Sequence, residues 1–265
     1  MNHEIIKDIE KNLNIEFDKS NINYFNDGAT ESIVFAINNK YLIKIVDDLT
    51  YKVQLEFLNN YNDDYFQKLL YSNNELSYLC YEYIDGNKIY KLNKLDINDI
   101  INQIYCITYN YKKYEYDGYG YLFDDYNKSW HQFLFDEVYY SRQEIENVSM
   151  NKVEIALDTI NKYEIEKYLI HGDFGVHNFL INNNKIKVID PMGVIGDRLY
   201  DFYFAIFSDS LIFTNIELDY ILSFYNNDLE YKKALLTIVV YIRMSRAHKY
   251  DINNFDKYLE LYNKI

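Results

Sequence analysis

The sequence predicts an α+β protein, with a small antiparallel β part followed by a larger, mainly helical part. Three observations carry that expectation. The first third contains short apolar runs joined by turns rich in Asn and Gly. The remaining two thirds carry apolar residues at helical spacing. One strand hairpin, reaching from Ile170 to Ile189 around Asn182-Asn183-Asn184, interrupts the helical pattern and ends in Asp190-Pro191.

Taken in order, Ile5, Ile6, Ile9 and Leu13 place a short amphipathic helix over residues 3–13. Ser32 to Ile37 and Lys40 to Val46 read as two strands with a tight Asn38-Asn39 connection, an antiparallel start and not a βαβ unit. Leu49 to Tyr61 reads as a helix, and Gln67 to Tyr71 and Glu75 to Ile84 as two more strands. Asp85-Gly86 then separates a first domain, residues 1–84, from a second, residues 85–265. In the second, helices are expected at Asp96 to Tyr111, from Ser129 onward, and at Val153 to Leu169. Four more are expected at Leu211 to Thr214, Leu218 to Tyr225, Ala234 to Ser245 and Phe255 to Ile265. Trp130 reads as a packing anchor and His131 as a partly exposed helix residue.

Composition narrows the function. With 41 Asp and Glu against 27 Lys and Arg, the formal charge is −14. A general nucleic-acid binder needs a basic face to displace counterions, so that class is excluded. The same charge suits a cationic small molecule, although an acidic surface also serves solubility alone. No stretch approaches the ~18 uncharged apolar residues of a membrane span. The acidic, amphipathic N-terminus is unlike a signal peptide, and a cytoplasmic protein is expected. Cys80 and Cys106 lack metal-ligand spacing; free thiols are the plainer reading and a single disulfide the alternative. The 31 tyrosines follow no fixed period and read as compositional bias, not as a stacking platform.

Lys44 stands amid apolar strand residues, where a lysine is costly unless paired or snorkelling. Glu56 follows in the next helix. A strand lysine held by a helix glutamate is how one class of phosphoryl-transfer site grips nucleotide phosphates; an edge lysine and a surface glutamate are the plain alternative. His171-Gly172-Asp173, Asn178 five residues after the aspartate, and Asp190 beyond a hairpin keep the spacing of a kinase catalytic loop and its metal-binding aspartate. Such a site needs a base beside the acceptor hydroxyl and oxygen ligands that hold Mg2+ against phosphate. Neither GxGxxG nor GxxxxGK[ST] occurs, and Gly28 alone marks no more than a turn.

At these residues the chain resembles a known family. HGDFGVHN followed by VIDPMGVIGDRLYDF, with CYEYIDG and GYGYLFDDYNKSWHQFL upstream, is similar to the aminoglycoside phosphotransferases, relatives of protein and choline kinases. The resemblance implies a bilobal protein-kinase-like fold. It also implies transfer of the γ-phosphate of ATP or GTP, with Mg2+, to a hydroxyl of an aminoglycoside-type antibiotic. Carried over by residue, it implies Asp173 as catalytic base and Asn178 and Asp190 as magnesium ligands. Lys44 would contact the nucleotide phosphates, oriented by Glu56, and the turn from Gly28 to Ser32 would cover them. Backbone groups of Glu82 and Ile84 would meet the purine. Tyr81 would stand at the back of the base pocket, which keeps guanine nucleotides open beside adenine. His171, Asp197 and Asp201 would brace the catalytic loop. DPM in place of DFG implies that no kinase-style activation loop follows.

The acceptor is the open part of the expectation. Asp124, Asp125, Asp136 and Glu137 are candidates for gripping a cationic acceptor, each weighed against an ordinary surface carboxylate. The alternatives are a kinase for choline, a sugar or another amino alcohol, a kinase for a different antibiotic class, and a nucleotide-binding pseudokinase. A pure binder needs no base, so the intact Asp173, Asn178 and Asp190 set argues against the last. A monomer or weak dimer with a small-molecule hydroxyl substrate, and no nucleic-acid or membrane partner, is expected.

Overall fold

The computed structural model describes residues 2–18, 21–25, 32–61, 63–89, 96–124 and 127–265. In chain order the first elements are α1 (Asn2–Leu13), β1 (Ile22–Phe25), β2 (Ile33–Ile37), β3 (Tyr41–Ile45), α2 (Asp48–Asn60), β4 (Leu69–Asn73), β5 (Tyr78–Glu82) and β6 (Asn87–Lys88). Then come α3 (Ile97–Tyr109), β7 (Gly120–Tyr121), α4 (Trp130–Arg142), α5 (Asn151–Ile160), β8 (Tyr168–Ile170), β9 (Phe179–Asn182), β10 (Lys185–Val188) and β11 (Val194–Gly196). The chain closes with α6 (Arg198–Ile206), α7 (Ser210–Phe213), α8 (Leu218–Ser223), α9 (Leu229–Tyr250) and α10 (Phe255–Lys264). These elements form two compact units, Met1–Leu92 with Asn178–Met192, and Asn93–His177 with Gly193–Ile265.

The first unit is built on an antiparallel sheet of order β1-β2-β3-β5-β4. Asn38 and Asn39, with φ of 55° and 51°, form the β2–β3 turn in the left-handed conformation that asparagine tolerates and a right-twisted hairpin favours. Strand alternation sorts the side chains. Phe35, Ile37, Ile43, Tyr78 and Cys80 meet Ile5, Ile6 and Ile9 of α1 in one core. Lys44 and Leu79, opposite each other in the β3–β5 register, therefore point to the other face. Asp8 of α1 accepts hydrogen bonds from Tyr78 Oη at 2.6 Å and Asn73 Nδ2 at 2.8 Å, which fixes the helix on the sheet. Strand β1 was not expected; its residues are mostly exposed, so the sequence there lacks a buried apolar pattern. The β4–β5 turn spans residues 74–77, two to three residues later than the gap expected between strands ending at Tyr71 and restarting at Glu75, with Ser77 at φ 51°.

The hairpin that follows Asn178 was expected within the second domain, and that expectation is corrected. β6 pairs with β9, which pairs with β10, and Val188 O accepts from Gln67 N at 2.9 Å. These bonds make residues 178–192 part of the first unit. The β9–β10 turn repeats the Asn device, with Asn183 and Asn184 at φ 49° and 62°.

The second unit surrounds α9, a 22-residue helix buried over most of its circumference. Side-chain caps start several helices of this unit: Asp96 for α3, Ser129 for α4 and Asp197 for α6. Trp130 is buried and stacks on Phe133 with centroids 5.3 Å apart, as an anchor should. The helix expected over Val153 to Leu169 ends at Ile160. Tyr168–Ile170 forms β8 instead, pairing with β11 in a small sheet of order β7-β11-β8. A three-residue apolar run suits either conformation, and pairing partners decide it. Cys80 and Cys106 are free thiols. Among the described residues, no helix is long and apolar enough to cross a membrane.

Candidate active site

In the first unit, Lys44 is 8% exposed and forms an ion pair with Asp190, 146 residues away in sequence. Asp190 sits just past β10 with φ 62°, a backbone region that non-glycine residues rarely occupy and that clusters at functional positions. Asn178, also buried, begins the same hairpin, and its backbone carbonyl accepts from Ile189 N at 3.0 Å. The hydrogen bond joins the two ends of the hairpin beside the two expected metal ligands.

The helix residue that reaches this pair is Gln54, and the Glu56 expectation is corrected. Gln54 Nε2 donates to Asp190 Oδ1 at 2.6 Å, and Gln54 Oε1 accepts from Tyr81 Oη at 2.7 Å. Glu56 instead accepts from Asn60 Nδ2 at 2.9 Å. Residues two apart on a helix lie about 200° apart around its axis, so only one of them can face the sheet. Gln54, 1% exposed, is that residue. Lys44, Asp190, Gln54 and Tyr81 thus form one polar chain.

The backbone of Glu82, expected to meet the purine, is committed within the first unit, and that expectation is corrected. Glu82 N donates to Lys68 O at 2.9 Å, and Glu82 O accepts from Gln67 Nε2 at 3.0 Å. The backbone groups of Ile84 make no hydrogen bond among the described residues. Ser32 lies directly before β2, and Gly28 lies outside the described residues.

In the second unit, Asp173 Oδ1 accepts from Arg246 Nη1 of α9 at 2.7 Å, and Asp173 Oδ2 lies 2.9 Å from His177 Nε2. Burial alone would raise this carboxyl, but His177 and Arg246 hold it well below the usual carboxylate range. A Cβ at Gly175 would come within 2.6 Å of the His177 ring, so a glycine there lets the imidazole fold back onto Asp173. Gly172 has φ 83°, and this turn aims two backbone amides at one carboxylate. Asp201 accepts from His171 N at 2.7 Å, from Gly172 N at 3.2 Å and from Tyr111 Oη at 2.8 Å. Burial pushes its carboxyl up to about 7 against the pull of those donors. Asp197 caps α6 through Leu199 N and accepts from Tyr231 Oη at 2.7 Å, a bracing part and not a ligand-facing one.

Of the acidic candidates, Asp124 and Asp136 both pair with Lys128, at 3.3 and 3.1 Å, and Asp125 lies outside the described residues. Glu137 accepts from Tyr121 Oη at 2.8 Å and, with Arg246, lines a cavity of about 410 Å³. Gln54, His177 and Arg246 escaped the sequence reading. The available signals were a lone polar residue on the apolar stripe of α2 and an arginine inside an apolar α9.

The chain has the kinase-like fold shared by aminoglycoside phosphotransferase, choline kinase and fructosamine kinase structures: an antiparallel N-terminal sheet followed by a mainly helical part. The choline kinase LicA from Streptococcus pneumoniae matches with a TM-score of 0.61 at 18% identity, over 100% of this chain and 99% of that one. A fructosamine-3-kinase homologue from Haemophilus somnus gives 0.59 at 16%, over 98% and 94%. The GDP and kanamycin complex of an APH(2'') phosphotransferase gives 0.57 at 11%, over 99% and 97%. No protein-family model and no curated protein sequence matches the chain.

Proposed function

We propose that the protein is a small-molecule kinase that transfers the γ-phosphoryl group of ATP or GTP to a substrate hydroxyl. The observation that carries this reading is the buried Lys44–Asp190 ion pair, closed by Gln54 at the end of a hairpin whose other end is Asn178. A buried lysine meeting an acidic strand end supplies a phosphate contact beside a metal ligand. Asn178 and Asp190 would hold Mg2+. Magnesium is bound in such sites through one or two protein oxygens plus substrate phosphates, so an amide and a carboxylate fit it. Bound there, it would neutralise charge on the phosphate oxygens.

The chain's own residues do the rest. Lys44 binds phosphate oxygens, and Ile84 backbone groups accept and donate to the purine edge. Asp173, kept ionised by His177 and Arg246, orients the acceptor hydroxyl and takes its proton as the new O–P bond forms. The bond from the γ-phosphorus to the bridging oxygen breaks, and the nucleoside diphosphate leaves. Asp201 keeps the loop that carries Asp173 in place.

An aminoglycoside-type antibiotic is the leading acceptor, supported by the net charge of −14 and by the kanamycin-bound structural neighbour. The cavity beside Glu137, at about 410 Å³, lies at the low end of small-molecule sites and favours a second reading, a compact amino alcohol. A nucleotide-consumption screen with ATP and GTP against aminoglycosides, macrolides, choline and sugars tests the proposal. Acceptor-stimulated turnover that vanishes in Asp173→Ala is expected. No stimulation by any acceptor, or undiminished turnover in Asp173→Ala, would overturn it.

A further inference from the structure

A second cavity in the second unit, of about 550 Å³, has Tyr105, Tyr109, Phe224 and Tyr225 in its wall, Arg198 of α6 set among them, and polar residues of the 223–227 segment along one side. The Arg198 guanidinium lies 4.5 Å from the Tyr109 ring centroid, 4.8 Å from that of Tyr168 and 5.3 Å from that of Tyr225. One of its N–H groups donates to Tyr109 O at 2.7 Å. Among the described residues, Arg198 makes no ion pair. Two carboxylates near it are committed elsewhere: Asp197 to Leu199 N and Tyr231, and Glu166 to Lys113 and Tyr168. In a chain of charge −14, a guanidinium with no carboxylate partner is unusual.

The wall is also strained. Tyr225 follows the C-terminus of α8 with φ 62°, a conformation usually given to glycine at that place. Its ring is held there by contact with Tyr105, at 5.1 Å, and by a 2.8 Å hydrogen bond between Tyr225 Oη and Thr108 Oγ1. A bulky aromatic kept in a backbone conformation that disfavours it points from strain to use. Aromatic walls suit a planar ligand, and the planar fork of a guanidinium suits two coplanar oxygens.

We propose that this cavity binds a small aromatic carboxylate, its ring against the tyrosine and phenylalanine walls and its carboxylate on Arg198. None of the residues lining it is among those assigned to phosphoryl transfer. Arg198 stands three residues before Asp201 on α6, so occupancy would act on the helix that carries the catalytic-loop brace. The reading does not depend on the proposed kinase activity.

Isothermal titration of the full chain with 2-naphthoate, against the neutral 2-naphthamide, tests it. Saturable 1:1 binding of 2-naphthoate is expected, at least tenfold weaker for the amide and for Arg198→Met. Absence of saturable binding to the parent protein, unchanged affinity in Arg198→Met, or displacement by saturating ATP or GTP would overturn it. If Arg198→Met loses its circular-dichroism signal, Tyr109→Ala decides, because that ring is half exposed and its truncation removes little buried surface. Weaker binding in Tyr109→Ala supports the site, and unchanged binding refutes it.

Discussion

Gln54 bridges Asp190 and Tyr81, and a double-mutant cycle with Tyr81 measures that bridge. Gln54→Leu keeps the side-chain volume close but removes both polar ends. Tyr81 is 4% exposed, so its hydroxyl is left buried without its 2.7 Å acceptor. Such an orphaned group costs about 1–3 kcal/mol. Asp190 loses one donor as well, but its side chain is 44% exposed and keeps Lys44, so water replaces that bond at little cost. The expected loss for Gln54→Leu is therefore about 1–3 kcal/mol. Tyr81→Phe removes the hydroxyl and leaves Gln54 Oε1 unpaired, for about 1 kcal/mol. The double variant orphans neither group, so it should be less destabilised than the sum of the two by about 1–2 kcal/mol. Hydrogen exchange of the β3 and β5 amides reads this locally, alongside urea unfolding of the whole chain. Additivity within ~0.3–0.5 kcal/mol would refute the bridge.

Asp201 predicts a pH dependence. Its carboxyl stands at about 7 in the folded protein against an ordinary 3.8, so between those values the folded chain holds a proton that the unfolded chain has released. Its contribution to stability therefore falls as pH rises from about 4 to 7, by at most about 4 kcal/mol, and is flat above; urea midpoints at pH 5 and 8 should converge in Asp201→Asn relative to the parent, and an unchanged difference counts against it. Arg246→Met removes one of the partners that hold Asp173 low, so the acid limb of kcat/KM should move to higher pH and stability drop by about 1.5–3 kcal/mol, the range for a hydrogen bond to a charged group. A fixed acid limb would exclude Arg246 from that role. Gly196→Ala places a Cβ 2.6 Å from the Trp130 ring, and overpacking of that kind should lower stability by about 1–3 kcal/mol in a thermal melt. A melt unchanged from the parent would show that the Trp130 ring moves aside freely.

Much of the local order was legible. The helix of residues 3–13, strands β2 and β3, α2 and the Asn-Asn turns follow from apolar period and from the left-handed tolerance of asparagine. Strand β1 was not legible, because its burial is too slight to leave a pattern. The ends of α5 and β8 were blurred because Tyr168–Ile170 is apolar on both faces.

The site divides in the same way. His171-Gly172-Asp173, Asn178 and Asp190-Pro191 lie within twenty-one residues, so their chemistry is written in local spacing and needs no fold to be read. Which groups surround them is written nowhere locally. Lys44 meets Asp190 across 146 residues, and Arg246 meets Asp173 across 73. The choice of Gln54 over Glu56 depends on the rotational phase of α2 against its sheet, set by how Val53 and Phe57 pack and not by either polar residue. The chain order of residues carries the candidate groups; the packing of helices on strands selects their partners, because only burial removes the water that would otherwise compete for them.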